Sequence, residues 1–280
     1  MDLEIMRDPR VRSVRWRDLT RLNKIEVVSE LIMPAPWLLA SLYAARQGWY
    51  PVALGLSFVF FLTGLRVVHG AYHYTLGLTR AGCEWVMFVL SVLMLGSMHA
   101  VQINHLQHHK HCMDDEDVEA MSARMSAWRA ILIGPAFPVL LHANALRLAR
   151  PRQLRWIGAE LLANAAWVAW VFGLSGAPVL AYHVIAMGIG QCLTAFFAVW
   201  TVHHDCDRSH YIARTLRGRI LTFVTFDMFY HVEHHLFPQV PTCRLPQLAA
   251  RLDQAAPELQ TKRVIGSGSG EVPQPATELN

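Results

Sequence analysis

The chain has 280 residues, of which 53% are hydrophobic and only 16% charged, with a formal net charge of +4 and a mean hydropathy of +0.25. That balance excludes a water-soluble globule, a largely disordered chain and a coiled coil, each of which needs more polar or charged residues. Five cysteines (Cys83, Cys112, Cys192, Cys206 and Cys243), odd in number and without C-x-x-C spacing, exclude a small disulfide framework and suit a reducing compartment.

Residues 31–46 (LIMPAPWLLASLYAAR) lead through Gln47-Gly48 into residues 49–68 (WYPVALGLSFVFFLTGLRVV). The second run is long enough to cross roughly 30 Å of hydrocarbon at about 1.5 Å per residue. The pair reads as a helical hairpin. Acidic residues precede it and no small-residue cleavage site follows its first apolar run, so no removable signal peptide is expected. Residues 85–101 (WVMFVLSVLMLGSMHAV) are shorter and carry Ser91, Gly96, Ser97 and His99 near their end. If they crossed, the histidines on either side would lie on opposite membrane faces, so an in-plane or re-entrant helix is expected. Residues 118–133 show amphipathic spacing suited to a membrane surface. Residues 156–173 and 177–200 form the second expected hairpin, joined through Ser175-Gly176-Ala177-Pro178. Residues 244–254 are again amphipathic. From Val264 the chain is rich in Gly, Ser and Pro, which predicts a disordered tail over 264–280 after a single membrane domain over 1–263.

Basic residues set the orientation. Seven (Arg7, Arg10, Arg12, Arg15, Arg17, Arg21 and Lys24) precede the first hairpin, seven lie between residues 102 and 155, and eight follow residue 200, whereas the hairpin tips carry only Arg46. By the positive-inside rule both termini and the long middle segment are cytoplasmic. The fold class that follows is an all-α membrane protein with two transmembrane helical hairpins, four spans in all. No internal repeat is present, and no basic helix interleaved with aromatics points to nucleic acid.

Fifteen histidines stand out. Most gather as His69-x-x-x-His73, His105-x-x-His108-His109, His203-His204 and His231-x-x-His234-His235. Positions i, i+3 and i+4 share a helix face, so each larger cluster aims its imidazoles together. A lone histidine near a helix end is usually a hydrogen-bonded packing residue, and His99, His142 and His183 read that way. His111 and His210 trail their clusters and read as supporting or surface residues. For the repeated clusters, metal ligation outweighs a structural role. Imidazole suits Zn, Cu, Fe and Ni, while a structural zinc site closes with four ligands, so this many histidines imply two ions. Neutral nitrogen ligands favour a redox pair that reacts with dioxygen, hence a di-iron centre, although the Glu-x-x-His motif of soluble di-iron bundles is missing. Thiolate ligation by Cys112 or Cys206 is not expected. Asp227, Glu233 and Asp205 are the candidate carboxylates for orienting ligand rings, while Asp114, Asp115, Glu116 and Asp117 read as a solvated loop or helix start. Trp85, Phe196, Phe197 and Trp200 are candidates to line an apolar substrate tunnel, or else serve as core or lipid anchors.

The segments HGAYH, HLQHH and HVEHH, the last continuing as LFPQVPTCRLP, resemble the three histidine boxes of the membrane fatty acid desaturase and hydroxylase superfamily, over residues 69–246. The resemblance implies four spans under a cytoplasmic helical cap that holds a histidine-rich dimetal site, a non-haem di-iron centre with O2 as co-substrate, and an apolar acyl-type substrate taken from the bilayer. It implies metal ligation by His69, His73, His105, His108, His109, His231, His234 and His235. It also implies one further ligand after the fourth span: His203, which His210-Tyr211 follows at the family's seven-residue spacing, with His204 in reserve. Val199 stands where acyl-CoA desaturases carry Asn, which argues against a CoA thioester. Box three opens with His231 and not with the Gln of front-end desaturases, and no cytochrome b5 domain is recognisable. Electrons are therefore expected from a separate donor such as a ferredoxin, rubredoxin or cytochrome b5 system. Desaturation of a lipid-type acyl chain is the first expectation. Hydroxylation or ketolation of a lipid, alkane or carotenoid is the second, and a non-enzymatic membrane metal carrier is a remote third.

Overall fold

The structure is a computed structural model and describes residues 4–206, 212–215 and 219–257. His210, Tyr211 and the tail from Val264 lie outside the described residues. Among the described residues four helices are long and apolar enough to cross a membrane: α1 (Lys24–Arg46), α2 (Tyr50–Tyr72), α6 (Pro151–Gly173) and α7 (Pro178–His203). Between α2 and α6 run α3 (Arg80–Met94), α4 (Met98–His111) and α5 (Phe137–Leu148), and near the C-terminus lie α8 (His231–Leu236) and α9 (Leu245–Ala255). Among the described residues no strand forms, and an isolated β-bridge pairs Thr215 with Tyr230.

Local chemistry sets the helix ends. Two spans begin earlier than residues 31 and 156. At Asn23 a capping box starts α1, with the Glu26 amide donating to Asn23 Oδ1 at 2.9 Å and the Asn23 amide to Glu26 Oε2 at 2.8 Å. Pro151 occupies the first turn of α6, where its missing N–H costs nothing. Pro34 divides α1 into Lys24–Ile32 and Ala35–Arg46, because proline removes an internal hydrogen bond. Gly48, at φ 76°, makes the left-handed turn between α1 and α2. These two helices meet through small residues, as membrane helices do. Ser41 Oγ lies 2.7 Å from Ser57 Oγ, which lies 3.0 Å from the Tyr182 hydroxyl of α7.

The apolar run at 85–101 breaks. Helix α3 ends at Leu95, in the left-handed region at φ 57°, Ser97 caps α4, and the two axes differ by 113°. Backbone opened at this depth must find partners inside the protein. It does: Gln191 Nε2 donates to the Met94 carbonyl at 2.7 Å, His183 Nε2 donates to Leu93 at 2.9 Å, and the Ser97 amide donates to His142 Nε2 at 2.9 Å. Glu160 of α6, fully buried, accepts from the Ser97 hydroxyl at 2.5 Å and the His99 amide at 3.2 Å, and lies 2.7 Å from His99 Nδ1. The His99 ring stacks on Trp156 at 4.9 Å. The histidines read as packing residues are therefore the ones that hold the bend.

Two surface elements depart from the sequence reading. Residues 118–133 are not one amphipathic helix but a 3-10 turn (Glu119–Arg124) followed by a short helix (Ala127–Leu132). Hydrogen bonds to α7 override the helical spacing: Ser122 Oγ donates to the Ala195 carbonyl at 2.8 Å, and Trp200 Nε1 to Met125 at 2.9 Å. Helix α5 was not anticipated and starts with Pro138 in its first turn. Helix α9 matches the reading at 244–254. Its Leu248 and Leu252 pack with Ile5, Val11 and Leu19 of the N-terminal segment and with Val232 and Leu236 of α8, all buried in one cluster.

Two outcomes follow. Single cysteines replacing Thr75 and Lys110 will react with an impermeant thiol reagent from the same side of sealed vesicles, because the segments they flank meet at one centre; reaction from opposite sides contradicts the bend. Glu160→Ala will destabilise the protein in detergent by about 2–3 kcal/mol, since several buried donors lose their acceptor, and a denaturation curve reads the loss.

Candidate metal centre

Nine imidazoles converge where α2, α4, α7 and α8 end or begin. They form two groups, within each of which the potential ligand atoms all lie within 4.8 Å of one another. One group holds His69, His73, His105, His109 and His234; the other holds His108, His203, His231 and His235. The helical clusters do not each serve one site. At about 100° of rotation per residue, His105 and His109 lie roughly 40° apart around α4 while His108 turns away to the far side of His105. On α8, His231 and His235 likewise share one group while His234 faces the other.

The inner nitrogens approach closely. In the first group His73 Nε2 lies 3.0 Å from His105 Nε2, and His109 Nε2 lies 2.9 Å from His234 Nε2. In the second, His203 Nε2 lies 3.1 Å from His108 Nε2 and 2.9 Å from His231 Nε2. On the outer side, His105 Nδ1 meets Glu119 Oε1 at 3.0 Å, His108 Nδ1 meets Asp117 Oδ2 at 2.7 Å, and His203 Nδ1 meets the Ile212 carbonyl at 3.1 Å. An acceptor at Nδ1 keeps the proton there and leaves the Nε2 lone pair facing inward. Lone pairs so gathered repel unless a cation lies among them. His69 Nε2, also buried, finds no hydrogen-bond partner among the described residues. Converging neutral nitrogens with outward anchors fit a metal site, and the all-imidazole donor set suits Fe, Cu, Zn or Ni.

Electrostatics favours the ligand form. Burial pushes His73, His105, His109, His231, His234 and His235 well below the usual imidazole range, and neighbouring rings push them the same way. They stay neutral, which ligation requires. His108 differs: burial lowers it, but the hydrogen bond and charge of Asp117 more than offset this and raise it. Burial raises Asp117, but His108 and the amides of Met113 and Ala120 bring it down to about 2. Glu119 is raised to about 7, by burial first and also by Asp117, with His108 acting against them.

The carboxylates found on the rings are not those the sequence singled out. Asp117 is almost fully buried, which corrects the solvated-loop reading and leaves that of a helix start, just before the 3-10 turn Glu119–Arg124. It accepts from the Met113 and Ala120 amides at 2.9 and 3.0 Å, so the turn that follows box two folds back onto His108. A hint was available in Asp117 itself, a residue type that caps a helical turn three residues on, but only the return of the chain to α4 gives it a ring to hold. Of the expected carboxylates, Asp227 faces Arg66 at 3.5 Å, and the Asp205 side chain is 80% exposed beside His204. Glu233 is fully buried and accepts from the Thr215 hydroxyl at 3.0 Å.

Other residues take clear places. His204 stands outside both groups, its ring stacked on Trp200 at 3.8 Å with Arg214 Nη1 2.6 Å from Nε2. His111 lies 3.0 Å from Asp114, and Cys112 Sγ donates to the Ile212 carbonyl at 3.7 Å. A small cavity of about 70 Å³ reaches the centre at Glu119 and is walled by Tyr72, Met98, Val101, Phe137 and Leu141. The aromatics that read as tunnel lining or as core and lipid anchors do not wall this cavity. Trp85 borders a separate apolar groove of about 340 Å³ between α1, α2 and α3, Phe197 packs edge-on against Phe58, and Phe196 stacks on Trp200. The segment beside the small cavity, Ala195–Trp200 in α7, is π-helical, a local widening often found at functional sites.

The chain is similar in sequence to known proteins. The fatty acid desaturase family profile matches residues 47–265. A beta-carotene ketolase from Paracoccus sp. (strain N81106 / MBIC 01143) is 26% identical over 234 residues, 76% of this chain and 84% of the ketolase. A sphingolipid delta(4)-desaturase/C4-monooxygenase from Rattus norvegicus is 26% identical over 195 residues, 64% of this chain and 58% of the rat protein.

Removing an outer anchor will loosen the centre. Asp117→Ala and Glu119→Ala are each expected to weaken metal retention about 10- to 100-fold, whereas Asp205→Asn will retain metal like the wild type. Metal analysis after dialysis against a graded chelator checks all three.

Proposed function

The chain belongs to the fatty acid desaturase family, and on that premise we propose that it is an integral membrane di-iron oxidoreductase that uses O2 and external electrons to desaturate a lipid-type acyl chain. The observation that carries the proposal is the pair of inward-facing imidazole groups, one of five rings and one of four. His69, His73, His105, His109 and His234 would hold one iron, and His108, His203, His231 and His235 the other. A bound iron pair supplies oxidation of an unactivated C–H bond by dioxygen. In desaturation the methylene pair loses two hydrogens, O2 takes up these with two electrons and two protons, and two waters leave.

The protein's own share is orientation and dryness. Asp117, Glu119 and the Ile212 carbonyl fix three rings from outside. Burial favours the neutral form of the rings other than His108 and excludes bulk water. The narrow cavity ending at Glu119 offers an apolar chain a place beside the first group, with Tyr72, Met98 and Phe137 as walls. The basic residues before α1, between residues 102 and 155 and after residue 200 support a cytoplasmic position for the termini and the centre, where a separate soluble or membrane-bound electron donor would dock.

A second reading, hydroxylation or ketolation of a lipid, alkane or carotenoid, is supported by the names of the relatives, one a ketolase and the other a desaturase/C4-monooxygenase. It shares the centre and differs in whether oxygen stays on the product. Membranes containing the protein, supplied with reductant and O2, will yield a product lacking two hydrogens by mass spectrometry. A product that has gained oxygen selects the second reading. His105→Ala is expected to reduce turnover and O2 consumption to background, and the wild type to carry two irons per chain. One zinc and no O2 consumption would sink both readings in favour of a metal carrier.

A further inference from the structure

We infer that Arg66, buried in α2, is a positioning residue for the metal centre, holding the turn that aims box three; the inference rests on the di-iron reading above. Arg66 uses its whole fork. Nε donates to Glu30 Oε2 at 3.0 Å, Nη2 donates to Glu30 Oε1, and Nη1 donates to the Phe226 carbonyl. The same Nη1 lies 3.5 Å from Asp227 Oδ2. Both side chains of the Arg66 and Glu30 pair are buried, at 3% and 6% exposure. An ion pair this deep is costly to desolvate, and one serving only to join α1 to α2 would need no third partner.

The third partner is a turn that needs holding. Phe226 and Asp227 both lie in the left-handed region, at φ 53° and 57°, where residues with a Cβ persist only if their surroundings insist. Trp37 of α1 packs edge-on against the Phe226 ring at 6.3 Å. From the other side, Thr215 Oγ1 donates to the Phe229 carbonyl at 3.1 Å and to Glu233 Oε2 at 3.0 Å. The turn leads directly into α8, whose six residues are too few to set their own direction. Yet α8 delivers His234 to one group and His231 and His235 to the other. Arg66 also precedes His69 by three residues on α2, less than one helical turn. A single helix thus places a box-one ring and, through the Phe226 carbonyl, sets the register of box three against it.

The test uses the full-length protein in detergent, loaded with cobalt(II), whose visible absorption reports the ligand set, and challenged with a chelator. The double variant Glu30→Met/Arg66→Met leaves no lone buried charge and is expected to melt near the wild type when metal-free. It is expected to release cobalt about tenfold faster or more, with an altered spectrum. Arg66→Lys keeps a cation opposite Glu30 without the planar fork and is expected to shift in the same direction by less; it keeps the test alive if the double variant fails to fold. Wild-type release rates and spectra in the variants that fold would overturn the inference while leaving the proposed function standing. A wild-type chain that takes up no cobalt would instead remove the metal reading, and the inference with it.

Discussion

In a hydrocarbon layer an opened backbone hydrogen bond has no water to turn to, and this protein opens several at once between α3 and α4. The 113° bend exists because side chains from α5, α6 and α7 meet the freed groups: His142, Glu160, His183 and Gln191 each take one or more of them. Without those partners the run from Arg80 to His111 would favour a straight helix. A straight helix carries box two away from box one, and the two groups of nitrogens do not form. The bend is thus a condition of the site, and residues far from any inner nitrogen, such as Glu160 and Trp156, belong to the reason the site exists.

The centre solves an electrostatic problem in a similar way. Burial lowers the proton affinity of His73, His105, His109, His231, His234 and His235 and leaves their lone pairs available to a metal cation, while Asp117 raises that of His108. That alone does not choose which nitrogen faces in. Asp117 and Glu119 choose for His108 and His105, and a backbone carbonyl chooses for His203. His108 and two amides outweigh the burial of Asp117 and hold it down at about 2, while burial raises Glu119 to about 7. The two carboxylates make similar contacts, one to a ring of each group.

Interleaving makes the assembly cooperative. Box two and box three each serve both groups, so neither half of the centre can form around one helix. Box one and the ring after the fourth span each serve a single group. Such a design depends on the relative register of α2, α4 and α8, and α8 is the shortest and least self-sufficient of the three. Contacts from Arg66, Trp37 and Thr215 supply the direction that α8 lacks, while Val232 and Leu236 anchor its other face in the cluster formed with the N-terminal segment and α9.

Membrane-spanning character, the four apolar helices, the histidine boxes and the family to which they belong were legible in the sequence, because helical periodicity and span length are local properties that need no partner to be read. His203 was preferred to His204 on spacing, and the structure separates the two by stacking His204 on Trp200. The split of boxes two and three between the two groups, the roles of Asp117 and Glu119, the breaking of residues 118–133 and the presence of α5 were decided by tertiary structure alone. A carboxylate in an acidic run looks solvated until the chain folds it back onto a ring, and a short helix has no direction until its neighbours supply one. Local residue chemistry determined which side chains would be drawn together; only long-range packing determined which nitrogen faces which.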